Sequence, residues 1–249
     1  MQHGAENATI TQRSDLTESL AFFRVETDED PQPFRAGQYL TLGLRSGERL
    51  IQRPYSIASS ARRVLEGYEL YVRLVRGGAL TPLLFASQAG DRVFVRGPKG
   101  RFTLAPGDER THLFVATGCG IAPFLSMLRT LRDEHKSRRI VLLHGVSYVR
   151  ELAYRQLLEQ WTQEAPDEFT YVPTISRPAV PENAGWRGHG GRVEALVGRL
   201  CERLGLAQEC CVAYVCGNPE MTTAVQDVLR GRGFGERDVH IEEYWPLRP

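Results

Sequence analysis

The stretch "VATGCGIAPFL", residues 115–125, decides the fold. An apolar run ends on two glycines one residue apart, Gly118 and Gly120, which let the backbone turn tightly. Beyond them Ile121, Phe124, Leu125, Leu128 and Leu131 recur at helical spacing, with Pro123 in the first turn, where its missing N–H breaks no bond. This is a buried strand, a turn and a helix start. The rhythm repeats downstream: "RIVLLHGVS", a helix from about Glu151 to Glu164, "EFTYVPTIS", a helix in "RVEALVGRLCERL", "CVAYVCG", a helix in "EMTTAVQDVLRGRG", and a last strand "DVHIEEYW". Strand and helix in turn predict a parallel, doubly wound sheet.

Upstream the pattern changes. "LAFFRVET", "PFRAGQYLTLGL", "RPYSIAS", "GYELYVRLV" and "DRVFVRGP" are short apolar segments broken by Gly, Pro and Asp, with "TPLLFASQ" as the one helical interruption. Short strands of this kind predict an antiparallel barrel, six-stranded by its expected class. The two rhythms meet near residues 104–110, where Pro and Gly sit among charged residues, so the expected domains are 1–106 and 107–249.

Composition narrows the function. A formal net charge of +1 provides no general basic field, which argues against nucleic-acid binding. Lys99 and Lys136 are the only lysines, so the cations are nearly all arginine, the side chain suited to planar phosphate contacts. Five cysteines, Cys119, Cys201, Cys210, Cys211 and Cys216, show no metal-site spacing, which predicts a reduced compartment and no metal. With no secretory leader pattern and no run of eighteen apolar residues, a cytoplasmic protein without membrane insertion is expected.

The helix start after Gly118 and Gly120 suits a pyrophosphate, since it offers unpaired N–H groups and the positive dipole end. Any α/β protein also needs glycines there, so the turn alone leaves both readings open. "RPYSIASS", Arg53 to Ser60, reads at first as a strand start that sets out an arginine, a tyrosine and a serine. Taken alone it suits an ordinary edge strand, with Pro54 keeping it from central pairing.

Four motifs in order, "RPYS", "GALT", "ATGCGIAPF" and "VCGNPEM", resemble the ferredoxin–NADP reductase family over essentially the whole chain. "HGVSYVRELAY" and the late "YW" are similar to its bacterial branch. The resemblance implies an FAD-binding barrel followed by an NADP-binding α/β domain. Arg53 would then pair with the FAD pyrophosphate, Tyr55 lie against the isoalloxazine and Ser56 sit beside flavin N5, with Pro54 in the same motif. In "VRLVRGGALTPLL" it puts the backbone of Arg73, Leu74 and Val75 along the flavin edge. There Gly77, Gly78, Leu80 and Thr81 form the second half of the FAD site, which Thr117 joins. In isolation Thr81 is as well read as the cap of a β-turn.

For the nicotinamide cofactor the resemblance implies Gly118, Gly120 and Gly217, with Pro219 beside the last. Ser176, Arg177 and Arg192 are the implied 2′-phosphate partners, and two charge-assisted contacts would favour NADPH over NADH by something on the order of 10²–10⁴. Many bacterial relatives carry another arginine where this chain has Ser147; Arg150, a turn later, either substitutes or is a solvated helix residue. Cys119 stands where relatives usually have threonine and reads as a small hydrophobe. Cys216 is implied as a steric guide near the reacting carbon, and Ser56 and Glu242 as a proton relay. Tyr244 is implied over the flavin face, Trp245 along the cofactor, and Arg248 in the extra "PLRP" is available for a phosphate.

The expected activity is hydride transfer from NADPH to flavin, then single electrons to ferredoxin or flavodoxin, by a monomer docking acidic partners near Arg62 and Arg63. Two rivals stand beside it. One is a flavin reductase or the reductase component of an oxygenase; the other is a flavin-bearing relay subunit that never meets NADPH.

Overall fold

The computed structural model describes residues 5–244, and contacts divide the chain into two compact units. Of the described residues, one unit comprises those up to Leu104 together with Ala122–Lys136; the other comprises Ala105–Ile121 and those from Ser137 onward.

The first unit contains β1 (Ala8–Thr17), β2 (Leu20–Thr27), β3 (Tyr39–Ser46), β4 (Arg49–Ser56), β5 (Tyr68–Arg73), the short helix α1 (Thr81–Ala86), β6 (Arg92–Lys99) and the helix α2 (Ala122–Asp133). Its strands run in the order β4-β3-β6-β1-β2-β5, each pair antiparallel. The row closes on itself where Ile57 bridges Leu70 and the Ala58 N–H donates to the Glu69 carbonyl at 2.7 Å. Ile10, Phe23, Leu40, Leu42, Leu70 and Val93 fill the interior. The expected antiparallel barrel is therefore present, with three differences in its elements.

Strand β1 carries no apolar face after Ile10, so sequence alternation did not reveal it; pairing with β2 holds it in place despite two bulges. The segment "PFRAGQYLTLGL" becomes strand only at Tyr39, because Gly37 first turns the chain at φ +97°, where a Cβ would lie 2.0 Å from the Phe102 carbonyl oxygen. "RPYS" is the end of β4, not a strand start. Pro54 faces Thr41 on a strand that lacks a second ladder, where its missing N–H is tolerated.

Grouping by contacts places α2 with the barrel, on the other side of the 106/107 division read from the sequence. The reason is a set of polar contacts. Ser126 donates to the Ser59 carbonyl at 2.7 Å, and Arg129 reaches the Ala58 carbonyl at 2.8 Å and Glu69 at 2.7 Å. Arg62 pairs with Glu134 at 2.7 Å and Arg63 with Asp133 at 2.8 Å. Arg62 and Arg63, near which an acidic partner is expected to dock, thus pair with Glu134 just after α2 and with Asp133 at its end, while both side chains stay more than half exposed.

The second unit contains β7 (Thr111–Thr117), β8 (Ile140–Val146), α3 (Arg155–Glu164), β9 (Phe169–Ile175), β10 (His189–Gly190), α4 (Val193–Leu204), β11 (Cys211–Gly217), α5 (Pro219–Arg230) and β12 (Val239–Glu243). Its sheet is parallel throughout, in the order β10-β9-β8-β7-β11-β12. Leu113, Val115, Val141, Leu143, Ala213 and Val215 pack on Val197 and Leu200 of α4 and on Val225 and Leu229 of α5. Residues of opposite parity make a second layer in which Tyr214 stacks between His112 at 5.7 Å and His240 at 4.6 Å. Burial on both faces is why these strands read as unbroken apolar runs. The helix expected from Glu151 begins only at Arg155. Val149–Glu151 is instead a 3-10 turn, and Tyr154 adopts a left-handed φ of +59° that breaks the helical path before α3.

Candidate functional site at the strand reversal

The second sheet reverses its order between β7 and β11: the chain leaves β7 for β8 on one side and returns to β11 on the other. In open α/β sheets the crevice outside the C-terminal strand ends at such a reversal is where ligands bind. Here those ends are Thr117 and Gly217. Gly118 turns the chain at φ +52°. A Cβ on Gly120 would lie 2.2 Å from the Cys216 carbonyl oxygen, and one on Gly217 would lie 2.3 Å from Thr117 Oγ1, so the turn and the end of β11 approach as closely as glycine alone permits. Thr117 Oγ1 is buried and has no hydrogen-bond partner among the described residues. A buried hydroxyl left unpaired costs about 1–3 kcal/mol, so a polar ligand group fits beside it. Thr117, which the resemblance implied for FAD, thus lies against Gly217.

His144, which sequence reading passed over as part of "HGVS", sets the turn. Its Nε2 stands 3.2 Å from the Gly118 carbonyl and its Nδ1 3.2 Å from the Tyr171 hydroxyl. The consistent tautomer carries hydrogen on Nε2 and donates to Gly118, while Tyr171 donates to Nδ1. Complete burial holds the imidazole pKa down at about 4, against smaller opposing effects of the Gly118 bond and Glu151. Burial, followed by Glu159, raises that of the Tyr171 hydroxyl. The pair is therefore neutral over the ordinary pH range.

Cys216, Glu242 and Tyr244 come together at the end of β11. Cys216 is paired with Glu242 across the ladder, and the Tyr244 N–H donates to the Gly217 carbonyl at 2.8 Å. Burial above all, with Glu242 adding to it, pushes the Cys216 thiol well up despite a hydrogen bond from Tyr244. A thiol so held stays protonated and presents bulk, not nucleophilicity. Trp245 and Arg248 lie outside the described residues.

Ser176 and Arg177 follow directly on β9, and Arg192 caps the start of α4, where it is exposed and 3.7 Å from Glu194. Arg177 donates to the Tyr148 hydroxyl at 2.8 Å. Ser147 does not bear an arginine, but its N–H and that of Tyr148 are received by the Glu151 carboxylate at 3.0 and 3.2 Å.

In the first unit, Arg53 reaches only the neighbouring Gln52 carbonyl, at 2.6 Å, among the described residues, and no carboxylate answers its charge. Tyr55 is half-buried against the barrel core and Ser56 is buried, opposite Leu40 and Tyr39 respectively. The loop after β5 is closed by Thr81, whose hydroxyl accepts the Val75 N–H at 2.9 Å and donates to the Val75 carbonyl at 3.0 Å. The Leu74 N–H goes to the Ser19 carbonyl at 2.8 Å and the Gly78 N–H to that of Val75 at 2.8 Å. Thr81 therefore shapes the loop, and the amides of Leu74 and Val75 are engaged inside the protein. Gly77 has open space around it, and Leu80 is buried beneath.

Sequence reading missed His144, Glu151 and Asn183, all polar and all buried. Their local signal was weak: His144 and Asn183 act on main-chain atoms of segments distant in sequence, and Glu151 caps a turn where a helix was expected.

Comparison with known proteins finds a family model for each part of the chain, the second of which spans α2 as well as the parallel sheet. An oxidoreductase FAD-binding domain model matches residues 7–104, and an oxidoreductase NAD-binding domain model matches residues 114–227. The phenol hydroxylase P5 protein of Acinetobacter pittii is 34% identical over 240 residues, which are 95% of this chain and 65% of that protein. The chain thus spans just under two thirds of that relative. Ferredoxin–NADP reductase B of Sorangium cellulosum is 34% identical over 216 residues, 85% of each chain. The crystal structure of a ferredoxin NADP+ reductase from Neisseria gonorrhoeae with bound FAD and NADP is 26% identical, with a TM-score of 0.83 over 97% of this chain and 100% of that one. Among the described residues no helix is long and apolar enough to cross a membrane.

Proposed function

The chain belongs to the ferredoxin–NADP reductase family, and we propose that it oxidises NADPH through FAD and passes the electrons singly to ferredoxin or flavodoxin. The observation that carries this reading is the turn at the strand reversal, where Gly120 and Gly217 meet backbone and side chain at distances no other residue allows, beside the Thr117 hydroxyl, which has no hydrogen-bond partner among the described residues. When bound, FAD supplies the hydride-accepting and one-electron chemistry that side chains lack.

The protein's residues hold and orient. Arg53, with no carboxylate partner among the described residues, is the cation for the flavin pyrophosphate. Tyr55 offers a flat face, and Ser56 a buried hydroxyl at the end of β4. The loop from Arg73 to Thr81, pinned by Thr81, gives the remaining contacts through Gly78 and the start of α1. In the second unit Gly118, Gly120 and Gly217 make room for the dinucleotide, and Ser176, Arg177 and Arg192 take its 2′-phosphate. Cys216 fills space beside the nicotinamide, Tyr244 governs access to it, and Ser56 and Glu242 form the proton relay.

Heat release and chromatography should identify the flavin as FAD, and stopped-flow mixing should bleach it faster with NADPH than with NADH. FMN as the released flavin, or a flavin that NADPH leaves oxidised, would refute the reading. A second reading, the reductase component of an oxygenase, is favoured by the 34% identity to the phenol hydroxylase protein. Turnover with ferredoxin, flavodoxin and free FMN separates the two: failure with both protein carriers, set against turnover with an oxygenase component, selects the second.

A further inference from the structure

We infer that Tyr148 and Arg150 complete the 2′-phosphate site, with Arg150 and Arg177 forming a two-arginine clamp on the Tyr148 ring; this rests on the NADPH reading above. The Arg150 guanidinium carbon stands 4.7 Å from the centroid of the Tyr148 ring and that of Arg177 stands 5.5 Å from the same centroid. Both arginines are exposed, and neither has a carboxylate partner within ion-pair distance among the described residues. Two like charges gathered at one ring repel each other. The ring's negative face and the Tyr148 hydroxyl, which accepts from Arg177 at 2.8 Å, offset part of that repulsion. A dianionic phosphate monoester would offset the rest, and a carboxylate less so, because it carries one charge and fewer acceptor oxygens.

The clamp is built in advance by Asn183. That side chain is buried; its amide donates to the Ser147 carbonyl at 3.0 Å and the Arg177 carbonyl at 2.7 Å, and its oxygen accepts the Val149 N–H at 2.8 Å. One residue therefore joins the segment carrying Tyr148 and Arg150 to the segment carrying Arg177. Glu151 fixes the first segment from the other side through the Ser147 and Tyr148 amides, and Val146, Leu152 and Ile175 pack beneath. With both backbones tied, the arginines need little ordering on binding, which raises affinity for a given set of contacts. The 3-10 turn at Val149–Glu151, in place of the expected helix, is what puts Arg150 on the Tyr148 ring.

The test is calorimetric titration of the flavin-loaded protein with adenosine 2′,5′-bisphosphate and with adenosine 5′-monophosphate. Wild type should prefer the bisphosphate. In Arg150→Ala that preference should fall about tenfold, the effect of losing one charge-assisted contact, with part of it restored in Arg150→Lys. Tyr148→Leu should lower the preference as well, by freeing both guanidinium groups. If wild type prefers the bisphosphate and Arg150→Ala keeps that preference in full, the clamp is refuted while NADPH selectivity stands. If wild type shows no preference, the NADPH reading falls and the clamp with it.

Discussion

Replacing His144 by glutamine should remove a measurable part of the protein's acid sensitivity. The ring is fully buried and its pKa is held at about 4, against about 6.5 in an unfolded chain. The folded value is the lower one, so the stability this residue confers is complete above about pH 6.5 and is lost as the pH falls toward about 4, because only the unfolded chain takes up the proton. At about 1.4 kcal/mol per pH unit across that window, the loss reaches about 2 kcal/mol at pH ~5. His112 and His240 are also shifted down by burial and act in the same direction, so wild type loses more than this in total. The difference between wild type and His144→Gln isolates the one residue. Urea unfolding of the flavin-loaded protein at pH ~7.5 and pH ~5, followed by circular dichroism and by fluorescence including that of the buried Trp161, measures it. The variant should be less stable at the higher pH, since Tyr171 and Gly118 lose a fitted partner, yet lose about 2 kcal/mol less between the two. Equal losses in both proteins would refute the account of a neutral, buried His144.

Two further substitutions probe the two units separately. Gly120→Ala sets a methyl group 2.2 Å from the Cys216 carbonyl oxygen, which the backbone must shift to avoid; dinucleotide affinity should fall at least tenfold by titration, with flavin content unchanged. Thr81→Val deletes both bonds to Val75 and leaves its N–H unpaired, while its carbonyl keeps the Gly78 N–H, so flavin retention on gel filtration should drop and the unit should lose about 1–3 kcal/mol in thermal unfolding.

Much of the architecture was legible because its signals are local. The parallel sheet announced itself through strands buried on both faces, and the turn from β7 into α2 through Gly118, Gly120 and Pro123, whose spacing is meaningful without knowing any neighbour. Strand β1 was silent, since after Ile10 its residues face solvent and only the ladder to β2 holds it extended. The helix expected at Glu151 failed for a related reason: Glu151 turns its carboxylate back on the Ser147 and Tyr148 amides and so ends in a cap, not a helix interior.

The sequence by itself determined the two rhythms, the order of the motifs and the residue types that suit a flavin and a dinucleotide, because each is a property of a short window. Only the tertiary structure decided what those residues do. Arg62 and Arg63 pair with carboxylates at the end of α2, Asn183 joins two segments through their main-chain atoms, and His144 reaches from β8 to hold the carbonyl of Gly118. Such roles depend on which distant main-chain group a polar side chain meets once water is excluded, and a buried polar group must meet one. That partner is set by packing of the whole unit, so no window of sequence contains it.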